Sequence, residues 1–446
     1  MREDITINDI RGFEDSFKSE RSNLIAQNAV ISNGINATAK NHSAKVNNPF
    51  AFSIDVDAGK VTNQKQSGRC WMFASYNVMR LEVIRKLNLG HFELSQTYPL
   101  FYDKLEKSNH FLENIIDNIE EEQGSRLLSF LLADPIGDGG QWDMFRSLVY
   151  KYGVVPQDIM PETNVSSGTR ELNSYLTKKL RGYACQLRTM HEHGNSIEEL
   201  RKAKEEMLNT VYRMLCISLG TPPERFTWKT KDKDGKFIAV ENITPKEFFD
   251  EYVGWDLDEY VTVINAPTKD KPYGKTYTVQ CLGNVRGGRY PVKYLNLPMD
   301  DLRDITIRQL KDGKVVWFGS DVGQFSDRKG GYLTMDAYNV AELFDTDFPM
   351  TKAQRLDYGD SLMTHAMVIT GVDLDENGKP VRWKVENSWG EDNGDKGFFV
   401  MDDEWFGEFS YQILLERKYF SEEQNKEFDT EPILLKPWDP MGSLAF

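Results

Sequence analysis

Apolar residues recur at helical spacing in some stretches and alternate in others. Ala74, Val78, Leu81 and Ile84 fall near a period of 3.6, and Gly90 follows as a stop signal. That spacing predicts a helix starting at or just after Cys70. Upstream, Ile10, Phe13, Phe17 and Leu24 make one apolar face of a first helix. Thr6 or Asn8 would cap it, and the face is expected to pack on the body. Gly34 to Asn48 is polar and Asn-rich, a crossing loop, and Phe50 to Val61 alternates enough for a strand. Ser95 before Pro99 predicts a helix start, with a further helix through Phe111 to Ile119. A glycine-dense turn, Asp134 to Trp142, precedes the helical run Met144 to Tyr152.

Beyond Pro161 the pattern changes. Glu171 to Leu187 is helical, and Ser196 with Glu199 forms a capping box opening a helix through Leu215, stopped by Gly220 and Pro222. Lys229 to Lys236 reads as a solvated loop. Val261 to Tyr294 holds several β-branched and aromatic runs, hence strands, and Asp300 to Lys311 is a helix. Val315 to Val322 is a buried strand by composition. Thr364 to Gly371 and the run ending at Glu386 make a hairpin about a turn at Asp373 to Pro380, and Gly394 to Met401 adds another strand.

Composition narrows the class. The chain has 446 residues and 40% hydrophobic content, enough for a sizeable core. No apolar run of 18 residues exists, so no membrane span is expected, and Met1 to Asp4 lacks an apolar signal core. A net charge of −15 argues against non-specific binding to nucleic acid or anionic membrane. Four cysteines in so long a chain are no disulfide framework, which points to a reducing, cytosolic setting. Cys185, Cys216 and Cys281 read as core residues. His191 and His193 have no partner at ligand spacing, so no metal and no cofactor is expected.

Cys70 differs from the other cysteines. It follows the polar loop Gln64-Lys65-Gln66-Ser67-Gly68-Arg69 and stands at a helix N-terminus, where unpaired N–H groups favour a thiolate. Gln64 is close enough for its amide to share a site with the Cys70 backbone N–H, two donors for an oxyanion. His365 and Asn387 fall on the two strands of the predicted hairpin. Cys, His and Asn in that order supply nucleophile, base and orienting group.

Gln64, the Ser67-Gly68-Arg69-Cys70-Trp71 run, His365 on a strand and Asn387-Ser388-Trp389-Gly390 resemble the papain-like cysteine peptidases. In those enzymes the His follows the Cys by roughly 130–150 residues. Here the gap runs from 70 to 365, or 295 positions. The surplus reads as an insertion, and the tail Pro437-Trp438-Asp439-Pro440-Met441-Gly442-Ser443-Leu444-Ala445 resembles the bleomycin hydrolase and aminopeptidase C branch. The resemblance implies an α+β, two-lobed fold: an arm (1–48), a helical lobe with Cys70 (49–160), an insertion decorating the core (161–310), a β-sheet lobe with His365 and Asn387 (311–420) and a tail entering the cleft (421–446).

It also implies a cytosolic cysteine aminopeptidase that removes N-terminal residues from short peptides with a free amino terminus, with bleomycin-type amide hydrolysis within reach. A barrel-shaped homohexamer is implied with it. Gly139 and Gly140 would hydrogen-bond an extended substrate, and Trp71 and Trp389 would support the site, Trp389 by covering the His–Asn bond. The terminal carboxylate, of Ala445 after trimming or of Phe446, would pair with the substrate's α-amino group. Where secreted relatives carry a disulfide between these segments, this chain has Ser67 and Gly137. An endopeptidase on the same scaffold and a non-catalytic nucleic-acid-binding scaffold are the alternatives. The intact Cys, His, Asn and Gln set argues against inactivity.

Overall fold

In the computed structural model, which describes residues 3–445, a mixed sheet is covered by helices on both faces. The strands run in the order 433–435, 275–279, 294–296, 260–264, 410–416, 316–320, 365–374, 380–386, 398–402, 332–333, 326–327, with the two-residue strand Ile54–Asp55 pairing onto His365–Leu374. Period-two alternation sends the side chains of each strand to opposite faces. Trp317, Ala366 and Val368 enter the core shared with the long helices. Phe318, Met367 and Ile369 enter a second core under the helix Met299–Lys311. The architecture is α+β, with a helical lobe on one side of the catalytic strands. The strands at 260–264, 275–279 and 294–296 join the same sheet as those at 316–320 and 365–374, so this part of the chain extends the sheet rather than lying on it.

The helix Cys70–Leu87 buries Cys70 to Arg80 without a break. It ends earlier than Gly90, because Asn88 adopts the left-handed conformation (φ 53°) and its N–H closes onto Arg85 O and Ile84 O. The two helices expected after Ser95 are one, Thr97–Asp117. Pro99 lies in its first turn, where a missing N–H breaks no bond, and Ser95 Oγ accepts Tyr98 N–H at 3.1 Å. The helices Arg170–Glu192 and Ile197–Leu219 pack on it, the second opened by the Ser196–Glu199 capping box and closed at Gly220 (φ 87°).

Several sequence expectations are corrected. The loop read at 229–236 is mostly hairpin, Phe226–Lys231 with Phe237–Ile243, turning where Asp232 Oδ1 accepts the Asp234 and Lys236 N–H groups. Gly34 to Asn48 is not a bare loop but carries the short helices Ile35–Ala39 and Ala44–Asn47. Cys185 is exposed and Cys216 and Cys281 are half-buried, so none of the three is fully in the core. The first helix, Ile7–Ser19, is capped by Thr6 in a box with Asp9, and Leu24 belongs to a second helix, Arg21–Asn33. Neither helix buries a single residue, so the apolar face does not pack on the body of its own chain.

Candidate active site

Cys70 occupies the first position of its helix, and the Arg69 carbonyl accepts the N–H groups of Met72 and Phe73, both at 3.0 Å. Arg69 itself is sealed. Its guanidinium makes a fork with Glu162, both bonds 2.8 Å, and lies over the Phe73 ring. The loop before the helix is thereby fixed on its polar side. The backbone N–H groups of Ala366, Trp71 and Cys70 itself lie near the Cys70 Sγ and favour its charged form. The Cys70 helix packs on the strand His365–Leu374, so the two elements that begin at Cys70 and His365 meet at the junction of helix and sheet.

His365 begins the strand His365–Leu374, paired with Ser320. Asn387 follows the last residue of the strand Pro380–Glu386. The predicted hairpin therefore forms, and His365 Nε2 donates to Asn387 Oδ1 at 2.9 Å. With the ring proton on Nε2, Nδ1 is left as the acceptor. Trp389 stacks on His365 with centroids 4.7 Å apart and shields that bond, while Arg328 covers the outer face of Trp389. Gln64 is tied to the same corner, its N–H bonded to Ser388 O at 2.9 Å. Its side-chain Nε2 donates one hydrogen to Ser67 O at 2.7 Å and keeps a second.

Both reacting groups are buried. Burial pushes the Cys70 thiol up to about 11, against the lowering effect of the N–H groups on its sulfur. Burial likewise pushes the His365 imidazole down to about 4, opposed by the bond to Asn387. The helix N-terminus alone therefore does not make a standing thiolate in this closed cleft. Neither charge is favoured on its own, and the two are best formed together, by transfer of the thiol proton to the ring.

Opposite the Cys70 loop lies the glycine turn. Trp71 Nε1 donates to Asp138 O at 2.8 Å, and the Trp71 ring fills the space beside Gly140 so closely that a Cβ there would stand 2.5 Å from it. Two lysines from the helix Thr97–Asp117 hold the turn from below. Lys104 Nζ reaches Gly137 O (2.9 Å) and Asp138 Oδ1 (2.7 Å); Lys107 reaches Gly137 O (3.0 Å) and Gly139 O. Asp138 Oδ2 accepts Gly68 N–H at 2.9 Å, which joins the turn to the nucleophile loop. Burial would raise this carboxyl, but Lys104, Thr169 and Asn173 outweigh it and hold the group well below the usual carboxylate range. None of these charged residues is apparent from local sequence pattern. The one local hint is the Asp within the Gly137-Asp138-Gly139-Gly140 run.

The tail crosses both walls. Met441 is fully buried, and its carbonyl takes Tyr294 OH (3.2 Å) and Gln141 Nε2 (3.4 Å) beside the glycine turn. Ser443 Oγ donates to Met363 O at 2.9 Å, two residues before His365, and Leu444 packs beside Gly319. It arrives as a tight 3-10 turn, Pro440–Ala445. Ala445 ends that turn, and Phe446 lies outside the described residues. The structure thus joins His365 to Asn387 and Trp389, Gln64 to Ser388 and Trp71 to the glycine turn, and seats the tail against Gln141 and Met363.

The Peptidase C1-like family model matches residues 4–442. Aminopeptidase C of Lactobacillus delbrueckii subsp. lactis is 48% identical over all of both chains, and that of Streptococcus thermophilus is 50% identical over 94% of each. Human bleomycin hydrolase is 42% identical, over 89% of this chain and 88% of its own. Among solved structures, PepW from Lactobacillus rhamnosis HN001 superposes with a TM-score of 0.97 at 50% identity, over 99% of each chain.

Proposed function

The chain belongs to the Peptidase C1-like family, and we propose that it is a cysteine aminopeptidase that releases N-terminal residues from short peptides. The observation that carries this reading is the meeting of three groups. The helix that starts at Cys70 packs on the strand that starts at His365, and His365 is fixed by Asn387 at 2.9 Å. In the proposed reaction Cys70 Sγ attacks the carbonyl carbon of the first peptide bond while its proton passes to His365 Nδ1. The free N–H of Gln64 and the Cys70 backbone N–H receive the developing oxyanion. His365 then gives the proton to the leaving amine, a thioester remains on Cys70, and water activated by His365 hydrolyses it. Asn387 keeps the ring in the tautomer this needs. The same chemistry suits the unblocked amide of bleomycin. Cys70→Ala tests the assignment: turnover should vanish while the fold and the melting temperature stay unchanged.

Exopeptidase selectivity comes, in this reading, from the tail. An open cleft would admit a chain at both ends, whereas Met441, Ser443 and Leu444 close one of them. In this reading the end of the tail supplies the negative group that pairs with the substrate's α-amino group. Such a charge-assisted contact contributes about 1.5–3 kcal/mol. We further infer a homo-oligomer, of the hexameric kind that the family resemblance implies, supported by the arm: Ile25 and Ile31 are 62% and 77% exposed on helices that bury nothing in their own chain. A cytosolic site of action fits four free cysteines and a glycine turn held by the Lys104–Asp138 ion pair instead of a disulfide. No helix among the described residues is long and apolar enough to cross a membrane.

A further inference from the structure

The tail does not simply fall into the cleft; it is seated on residues 260–296. The strand Ile433–Leu435 adds itself in parallel to Lys275–Val279 at the edge of the sheet. Trp438 then lies on the Arg126 guanidinium, 3.7 Å from it. At Asp439 the seat becomes ionic. Asp439 Oδ2 is 2.9 Å from Lys271 Nζ, and the two side chains are only 8% and 2% exposed. The other oxygen of Asp439 accepts Met441 N–H at 2.9 Å and so opens the final turn. Lys271 is fixed in its own right: its carbonyl takes Asn296 Nδ2 at 2.6 Å and its N–H donates to Thr268 O. Tyr294, from the next strand, takes hold two residues further on, at Met441 O. At about 2 Å of rise per residue, the turn from Pro440 to Ala445 is a short arm. Its end inherits any tilt at Asp439.

We infer that Lys271 and Asp439 form a latch that fixes the distance between the tail's end and Cys70, so that these two positioning residues set the demand for a free amino terminus. Residues 260–296 supply the lysine, the tyrosine and the sheet edge, and this gives the lengthened chain a task in specificity: it is the platform for the tail. The inference rests on the reading that the tail selects the substrate. Without the latch the segment can lift, and the cleft admits peptides with blocked or extended N-termini.

The test compares kcat/KM for an aminoacyl fluorogenic amide with a free amine against its N-acetylated twin, in the wild type, Asp439→Asn and Lys271→Met. Asp439→Asn keeps an oxygen for the Met441 N–H while removing the charge. If Lys271→Met fails to fold, Asp439→Asn decides alone. The preference for the free amine should fall by roughly tenfold or more, because Asp439→Asn leaves Lys271 to its second partner Asp270, 2.8 Å from its Nζ, and unties the tail. The rate of Cys70 alkylation by iodoacetamide, which needs no amine recognition, reports on site integrity and should not drop. A wild-type preference in the folded variants would overturn the latch. Deletion of residues 437–446 separates the two ideas. If deletion abolishes the preference while the point variants keep it, the latch is wrong and the tail reading stands. If deletion leaves the preference intact, both fall.

Discussion

Lys104 Nζ lies 2.7 Å from Asp138 Oδ1, and the other oxygen of the same carboxylate takes the N–H of Gly68, two residues before the nucleophile. One buried pair thus locks the glycine turn to the loop that presents Cys70. Asp138→Asn leaves Lys104, which is fully buried, without its anion. We expect a loss of about 3–5 kcal/mol in stability at neutral pH, read by denaturant unfolding, with a fall in kcat/KM as the turn loosens. The sign of the pH effect follows from the lowered carboxyl. Its stabilisation is full above the ordinary value of 3.8 and drains away as pH falls below it. The variant should therefore lose less stability than the wild type on acidification below pH 4. Equal acid sensitivity would remove Asp138 from this role.

In the proposed mechanism His365 controls the reactivity of Cys70. Burial places the thiol at about 11 on its own, and the imidazole stays an unprotonated acceptor down to about 4. If the thiol proton passes to the ring, as proposed, alkylation of Cys70 by iodoacetamide in the wild type should stay fast well below the usual thiol value of about 8.5. In His365→Ala the thiol has no acceptor, and the rate should climb only toward its own alkaline value. Identical profiles in the two proteins would show that His365 does not take the proton.

Gln64→Ala removes one of two donors aimed at the oxyanion. The expected loss is roughly 10²-fold in kcat, with little change in KM, because the donor acts in the transition state. A loss confined to KM would make Gln64 a ground-state binding group.

The chemistry was legible in the sequence where it depends on local pattern. A polar loop running into apolar residues at helical spacing located Cys70, and two β-branched runs about a turn located His365 and Asn387. Lys104, Lys107 and Asp138 were not legible, since two helical lysines acquire meaning only when a turn some 30 residues away folds onto them. The apolar face of the arm was correctly periodic, yet periodicity does not say what covers a face. The turn of the tail was not legible either: Asp439 Oδ1 accepting the Met441 N–H opens a 3-10 arm that no local pattern announces.

The arm offers a separate check. Light scattering should give the wild type a mass several times its chain mass of 51.4 kDa. Replacing Ile25 and Ile31 by Asp should return it toward that mass, because charges would be buried in the contact. A wild-type protein that runs as a monomer contradicts the assembly.

The most direct measurement is hydrolysis of a free-amino aminoacyl fluorogenic amide and its N-acetylated twin by the purified wild-type protein, with Cys70→Ala alongside. The account predicts turnover of the free form, little or none of the blocked form, and none of either by Cys70→Ala. Equal cleavage of both substrates, or turnover surviving in Cys70→Ala, would contradict it.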